Sequence, residues 1–172
     1  MRILAIHAEK ISWKANRKTK FAEPIEKKED EMENCMLLLS SVEKLDETDP
    51  QSVVSGGVHE VLKRLGMIKV NRVMIFPYAH LTSTLSSPEV ALQILSGLEA
   101  SLKAHGIEVK RAPFGWYKEY DIKSTGHPLS ELSMTICPYE GKKCDFLCPY
   151  CANPIIVKDL SQGLPPSQPS HS

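Results

Sequence analysis

Eight residues, Cys35-Met-Leu-Leu-Leu-Ser-Ser-Val42, form an almost wholly apolar, uncharged run bounded by Asn34 and Glu43. Alternate side chains of a strand point to opposite faces, so a run apolar at every position is a central strand covered on both sides. The rest of the chain must therefore supply material for two faces of one sheet. Nowhere is an apolar run long enough to span a bilayer.

Around this run the elements follow in order. Arg2-Ile-Leu-Ala-Ile-His7 reads as a first strand, with His7 a hydrogen-bonded core histidine at its end. Residues 13–21, with Lys14, Arg17, Lys18 and Lys20, read as an outer hairpin or edge strand, and residues 23–34 as a charged loop. Asp49 and Pro50 suit the cap and first position of a helix, and Val53, Val54, Val58, Val61, Leu62 and Leu65 repeat at helical spacing up to a terminating Gly66. Gly56-Gly57 either weakens that helix, by about 1 kcal/mol per glycine, or marks a close approach to the sheet. No Gly-Lys-Ser/Thr follows, so it is not a phosphate loop. Arg72-Val-Met-Ile-Phe-Pro77 is the next strand, ended by a proline that has no N–H to donate. His80, just past that end, is placed to line a pocket. Ser87 and Pro88 open a second helix with its apolar face on Val90, Ala91, Ile94, Leu95, Leu98 and Leu102, ended by His105-Gly106. Strands follow at residues 107–112, 116–122 and 131–136. Two one-faced helices suit one side of a mixed, mostly antiparallel sheet, an α+β architecture.

Residues 112–132 hold the densest run of reactive side chains. Lys118, Glu119, Asp121, His127 and Glu131 are interleaved with Phe114, Trp116, Tyr117 and Tyr120. Strand alternation puts Trp116, Lys118 and Tyr120 on one face and Tyr117, Glu119 and Asp121 on the other. Lys118 is then either a solvated edge-strand lysine that deters aggregation or a pocket residue. Lys plus Arg equals Asp plus Glu at 21 each, which argues against broad coating of nucleic acid but not against holding one RNA end. The opening strand lacks a signal-peptide pattern, so a cytoplasmic protein with no membrane contact is expected.

Cys137, Cys144, Cys148 and Cys151 cluster near the C-terminus. Cys148 and Cys151 form a CxxC pair, and four thiolates suit structural zinc, although the 137–144 spacing is wide for a knuckle. The alternative is free thiols. The expected organisation is a main domain at 1–136, a cysteine-rich, zinc-binding extension at 137–159, and a disordered Pro/Ser-rich tail or linker at 160–172.

Three separated motifs, Pro77-Tyr-Ala-His-Leu81, Ala112-Pro-Phe-Gly-Trp-Tyr-Lys118 and Gly126-His-Pro-Leu-Ser-Glu131, give the chain its likeness to a known family. It resembles the N-terminal editing domain of archaeal threonyl-tRNA synthetases, similar in fold to D-aminoacyl-tRNA deacylases. The resemblance implies hydrolysis of serine misattached to threonine tRNA, with no cofactor beyond water and the 2′-hydroxyl of the terminal ribose. It implies substrate contacts from Pro77, Tyr78, Ala79 and His80, serine selection by Lys118, pocket roles for Tyr117 and Glu131, and adenine contacts from Val42 and Phe114. Trp116 stands where other members have tyrosine. The implied partners are the aminoacylated 3′ end of threonine tRNA, a second copy of the chain in a homodimer, and a synthetase catalytic domain when the chain is part of a longer enzyme. Two other readings are a D-aminoacyl-tRNA deacylase and a non-catalytic module that binds tRNA or a partner.

Overall fold

The computed structural model describes residues 1–138 and, as backbone, strands β7 (Lys143–Leu147) and β8 (Pro154–Ile156), which pair with each other. The expected 160–172 tail lies outside the described residues. Strand β1 (Arg2–Lys18) is the spine of the main sheet. Along one side it pairs antiparallel with β2 (Glu29–Ser41). Along the other it pairs with two strands placed end to end: β6 (Glu131–Thr135) beside Arg2–Ile6 and β5 (Trp116–Ser124) beside Ala8–Lys18. Strands β3 (Arg72–Pro77) and β4 (Glu108–Arg111) add in parallel beyond β2, so the sheet reads β4-β3-β2-β1-β5 with β6 joined to β1. Parallel neighbours need long crossovers, and helices α1 (Pro50–Ile68) and α2 (Pro88–Ala104) supply them. The expected α+β fold, with a mixed sheet and two helices, is the one present.

Two expectations from the sequence are corrected here. Residues 2–7 and 13–21 are not separate elements: β1 runs unbroken from Arg2 to Lys18 and is an interior strand. Residues 23–34 are not all loop, since β2 begins at Glu29. A shared irregularity conceals both strands in the sequence. The positions of β1 that face one core are Ile6 and Ala8, then Ile11, Trp13 and Ala15; in β2 they are Met32, then Cys35, Leu37 and Leu39. Both strands change phase where the ladder steps from Ala8↔Cys35 to Lys10↔Glu33. Asn34 lies there at φ 44°, a left-handed conformation that Asn tolerates, and β5 shifts register against β1 at the same point. Beyond the step, the charges of the supposed loop face those of β1, with Lys10 Nζ 2.8 Å from Glu31.

The central run of β2 is covered on both faces, as its composition demands. Met36 and Leu38 join Ile3, Val73 and Ile75 beneath the helices, against Val61, Leu95 and Leu98. Leu37 and Leu39 join a second core with Ile11, Trp13, Met74 and Phe76. Among the described residues no helix covers this second face; the sheet curls over it. Phe76 of β3 and Tyr120 of β5 are three strand spacings apart, about 14 Å in a flat sheet, yet their ring centroids are 5.1 Å apart.

The helix ends follow local chemistry. Asp49 accepts from Ser52 N–H at 3.0 Å with Pro50 behind it, and Ser87 accepts from Val90 N–H with Pro88 behind it. Helix α1 passes the expected stop at Gly66 and ends where Lys69 turns left-handed at φ 56°. Gly57 marks a close approach: a Cβ there would lie 3.1 Å from Met1 Cε and 3.4 Å from Leu98 Cδ1. The Met1 ammonium is buried, donating to Asp46 Oδ1 at 2.7 Å and to the Ile136 carbonyl at 2.8 Å. Among the described residues no helix is long and apolar enough to cross a membrane.

Candidate active site

Lys118 is not a solvated surface lysine. It sits on β5 opposite Ala15, half-buried on the curled face. Its Nζ donates to the carbonyls of Pro113 and Trp116, each at 2.9 Å, and lies 5.1 Å from the Phe76 ring centroid, within cation–π range. An ammonium has three N–H donors, so among the described residues these two bonds leave one for a ligand. Burial pulls the Lys118 amine down to about 8, against a smaller opposing pull from the Glu23 carboxylate.

Aromatic contacts connect this amine to the end of β3. Tyr120 packs edge-on against Phe76, and burial, then its bond to the Tyr78 hydroxyl, pushes the Tyr120 phenol up. The rings of Tyr78 and His80 meet at 5.2 Å. Pro77 pairs with Ser40, ending the strand as expected. Past it, Ala79–Leu81 forms a single 3-10 turn pinned by Ser41, whose hydroxyl donates to the Tyr78 carbonyl and accepts from Leu81 N–H. Ala79 and His80 are exposed at this turn. Phe76 and Ser41 escaped the sequence reading because one reads as core and the other as part of an apolar run.

The turn before β5 is held from an unexpected side. Glu23, read as loop, accepts from Arg111 Nη1 at 2.6 Å, from Arg111 Nη2 at 3.0 Å and from Phe114 N–H at 2.6 Å. Its carbonyl accepts from Trp116 Nε1 at 2.9 Å. Gly115, at φ +75°, closes this turn against the neighbouring loop: a Cβ would fall 2.5 Å from the Phe21 carbonyl oxygen. The expected bend at Pro113 and Gly115 is therefore real, and only glycine fits it.

The remaining residues are dispersed. Tyr117 is exposed on the opposite face of β5, beneath the Arg17 guanidinium at 5.0 Å. Val42 is buried at 3 % exposure in the helix-side core, and Phe114 packs half-buried against that core. Glu131 is exposed on β6 opposite Ile6, nine positions along β1 from Ala15. That is about 30 Å of straight strand. A groove between the end of α1 and residues 128–132 lies at the Glu131 end, lined by His7, Arg64, Met67 and Leu129. There His7 Nδ1 is 2.7 Å from His127 Nε2 and its Nε2 is 3.3 Å from Asn34 Oδ1; His7 is hydrogen-bonded, but it is half-buried at the groove and lies within β1, not in the core at a strand end as expected. Cys137 is half-buried; the side chains of Cys144, Cys148 and Cys151 lie outside the described residues. Among the described residues no group of three or more His, Cys, Asp or Glu is arranged to hold a metal.

Comparison with known proteins identifies the family. The family model of the archaea-specific editing domain of threonyl-tRNA synthetase matches residues 1–136. Threonine–tRNA ligase of Methanothrix thermoacetophila is 47% identical over 147 residues, which are 83% of this chain and 23% of the relative. That of Methanopyrus kandleri is 43% identical over 148 residues, 84% of this chain and 23% of the relative. The Methanosarcina mazei enzyme is 41% identical over 161 residues, 92% of this chain and 25% of the relative. The chain thus spans about a quarter of the length of these relatives. Among solved structures, the c-Myc DNA Unwinding Element Binding Protein matches with a TM-score of 0.57 at 12% identity, over 78% of this chain and 98% of that one, a likeness of fold. With the family model matched along 1–136 and relatives at this level of identity, the chain belongs to the archaea-specific editing domains of threonyl-tRNA synthetase.

Proposed function

We propose that the protein hydrolyses the ester of L-seryl-tRNA(Thr), acting on the aminoacylated 3′ end of the tRNA either within a threonyl-tRNA synthetase or as a free-standing proofreading factor. The need is physical: serine lacks one methyl of threonine, and a pocket resolves one methyl by only about 1–3 kcal/mol, so a second, hydrolytic site is required. The observation that carries the reading is the Lys118 ammonium, fixed by two carbonyls with one donor to spare. That donor orients a water on the seryl ester, and the extra methyl of threonine displaces the water. The backbone at Pro77, Tyr78, Ala79 and His80 holds the amino acid, with Phe114, Val42 and Trp116 beside the adenine. The substrate's 2′-hydroxyl activates the water, and His80 positions it. Neither a metal nor an organic cofactor takes part in hydrolysis.

We further propose that the active form is a homodimer. Lys118 and Glu131 both belong to the implied pocket but lie about 30 Å apart along β1 within one chain. A second copy brings its own Glu131 and Tyr117 to the Lys118 of the first.

Single-turnover hydrolysis of labelled seryl-, threonyl- and D-aminoacyl-tRNA tests the activity. Rapid loss of serine with threonine spared is expected. Preferential loss of the D-aminoacyl group makes the protein a D-aminoacyl-tRNA deacylase, and no turnover of any ester makes it a binding module. Mixing inactive Lys118→Met and Glu131→Gln chains tests the dimer: restored activity is expected, and none returns if each copy is self-contained.

A further inference from the structure

We infer that Glu23, from the loop joining β1 to β2, is a positioning residue for Lys118: it fixes the turn whose carbonyls hold the ammonium and supplies the carboxylate that balances its charge. This rests on the proposed role of Lys118, but its first test does not depend on activity.

The geometry forms one continuous path. The Glu23 carboxylate accepts two bonds from Arg111 and one from Phe114 N–H, while Glu23 N–H donates to the Phe114 carbonyl at 3.2 Å. The same residue's carbonyl receives Trp116 Nε1. Phe114 and Trp116 flank Gly115, and Pro113 and Trp116 supply the two carbonyls on Lys118 Nζ. Most fixed points of the turn thus end on Glu23 or on the amine; the Gly115 carbonyl is held separately, accepting from Thr19 N–H at 2.9 Å and from Thr19 Oγ1 at 2.8 Å. Arg111 is itself anchored, since its Nε donates to Glu99 of α2 at 2.8 Å. A bidentate guanidinium–carboxylate pair is the most direction-specific polar contact available to side chains, so the turn takes its place from both the helix layer and the loop.

The charges around Lys118 give the residue a second effect. Among the described residues Glu23 is the carboxylate that raises the proton affinity of Lys118, and Arg111 is paired with Glu23 at 2.6 Å. Glu99 pairs with Arg111 on the far side. The polar groups of the aromatic chain, Tyr78, Tyr120 and His80, bring no carboxylate to the amine.

The test is NMR titration of the Lys118 side chain in the full chain, with seryl-tRNA hydrolysis measured in parallel. In the unaltered protein the midpoint is expected at about 8. Glu23→Gln keeps an acceptor for Phe114 N–H but removes the charge, and the midpoint should fall by roughly half to one pH unit. Arg111→Gln leaves Glu23 charged and unneutralised, so the midpoint should rise. General loosening of the turn would instead carry both variants upward toward 10.5 by letting in water; that outcome overturns the charge-balancing role, and an unchanged kcat in Glu23→Gln overturns the positioning role. The opposed signs survive if only one variant folds, since a rise in Glu23→Gln or a fall in Arg111→Gln refutes the charge-balancing role alone. Under the proposed function, Glu23→Gln should lower kcat for seryl-tRNA about tenfold or more with KM nearly constant, as expected for a misplaced reacting group. Glu23→Asp should restore part of the rate, and Glu119→Gln, on the opposite, exposed face of β5, should change neither quantity. A protein without esterase activity but with the opposed midpoint shifts would retain the Glu23–Lys118 linkage and lose only the deacylase reading.

Discussion

Lys118 costs the fold stability in order to keep a cation beside aromatic rings. Its folded midpoint of about 8 lies below the ordinary 10.5. Between these values the unfolded chain holds a proton that the folded chain gives up, so stability rises with pH across that window. Below pH 8 both states are protonated and the whole cost, at most about 3.4 kcal/mol, is present. Lys118→Met should therefore stabilise the protein by about 1–2 kcal/mol at pH 7 in urea melts, an advantage that shrinks toward pH 10.5. The same variant should slow seryl-tRNA hydrolysis by about a hundredfold and narrow the serine-to-threonine ratio. In the unaltered protein the rate above the uncatalysed background should fall as pH rises through 8. Trp13 presents a different residue-scale cost. Its indole N–H is buried with no partner among the described residues. Trp13→Phe removes an unsatisfied donor while keeping the ring, so its effect should stay within about 1 kcal/mol. Trp13→Ala, which empties the site, should cost about 3–5 kcal/mol. A large loss in Trp13→Phe would show that the N–H is satisfied in solution.

At the scale of elements, the parts governed by local chemistry were legible in the sequence and the parts governed by pairing were not. Asp49-Pro50 and Ser87-Pro88 specify their helix starts through bonds within a few residues, and both starts stand where expected. The strand at residues 116–124 showed its two faces by simple alternation, and Lys118 shares a face with Tyr120 and Trp116 as read. Strand β1 defeated the same reasoning because its alternation changes phase beside Asn34, a residue of the neighbouring strand. A period of two cannot reveal a strand whose irregularity is shared with a partner far along the chain. The hold of Glu23 on the turn was hidden likewise, since nothing local ties residue 23 to Arg111 and Phe114. Gly57 was open to reading as a close approach to the sheet; its neighbours are instead the side chains of Met1 and of Leu98 on α2. Gly57→Leu should consequently lower stability by about 1–3 kcal/mol through overpacking, while Gly66→Ala, which meets nothing within 4 Å, should be neutral or stabilising. Denaturant midpoints of the two variants check the contrast.

For the whole molecule, the cysteine cluster gives a composition test. We propose that Cys137, Cys144, Cys148 and Cys151 hold one structural zinc. Metal analysis of protein purified without chelator should then find about one zinc per chain. Four freely titratable thiols and no metal would refute it. Removal of residues 139–172 should leave hydrolysis intact, because Lys118, His80 and the turn that Glu23 holds all precede them.

The position of β1 also sets an order of events during synthesis. It pairs with β6 as far as Arg2↔Thr135, and the Met1 ammonium bonds the Ile136 carbonyl. The Arg2–Ile6 stretch of β1 thus waits for β6, and until then that part of its edge has unpaired N–H and C=O groups. At about 5–20 residues per second that wait lasts roughly 7–27 s. Such distant pairing also favours slow refolding, in the millisecond-to-second range. A ribosome-bound chain ending before residue 131 should be far more susceptible to protease than one carrying residues 131–136 beyond the exit tunnel. The protein would then acquire its resistant fold in a single late step.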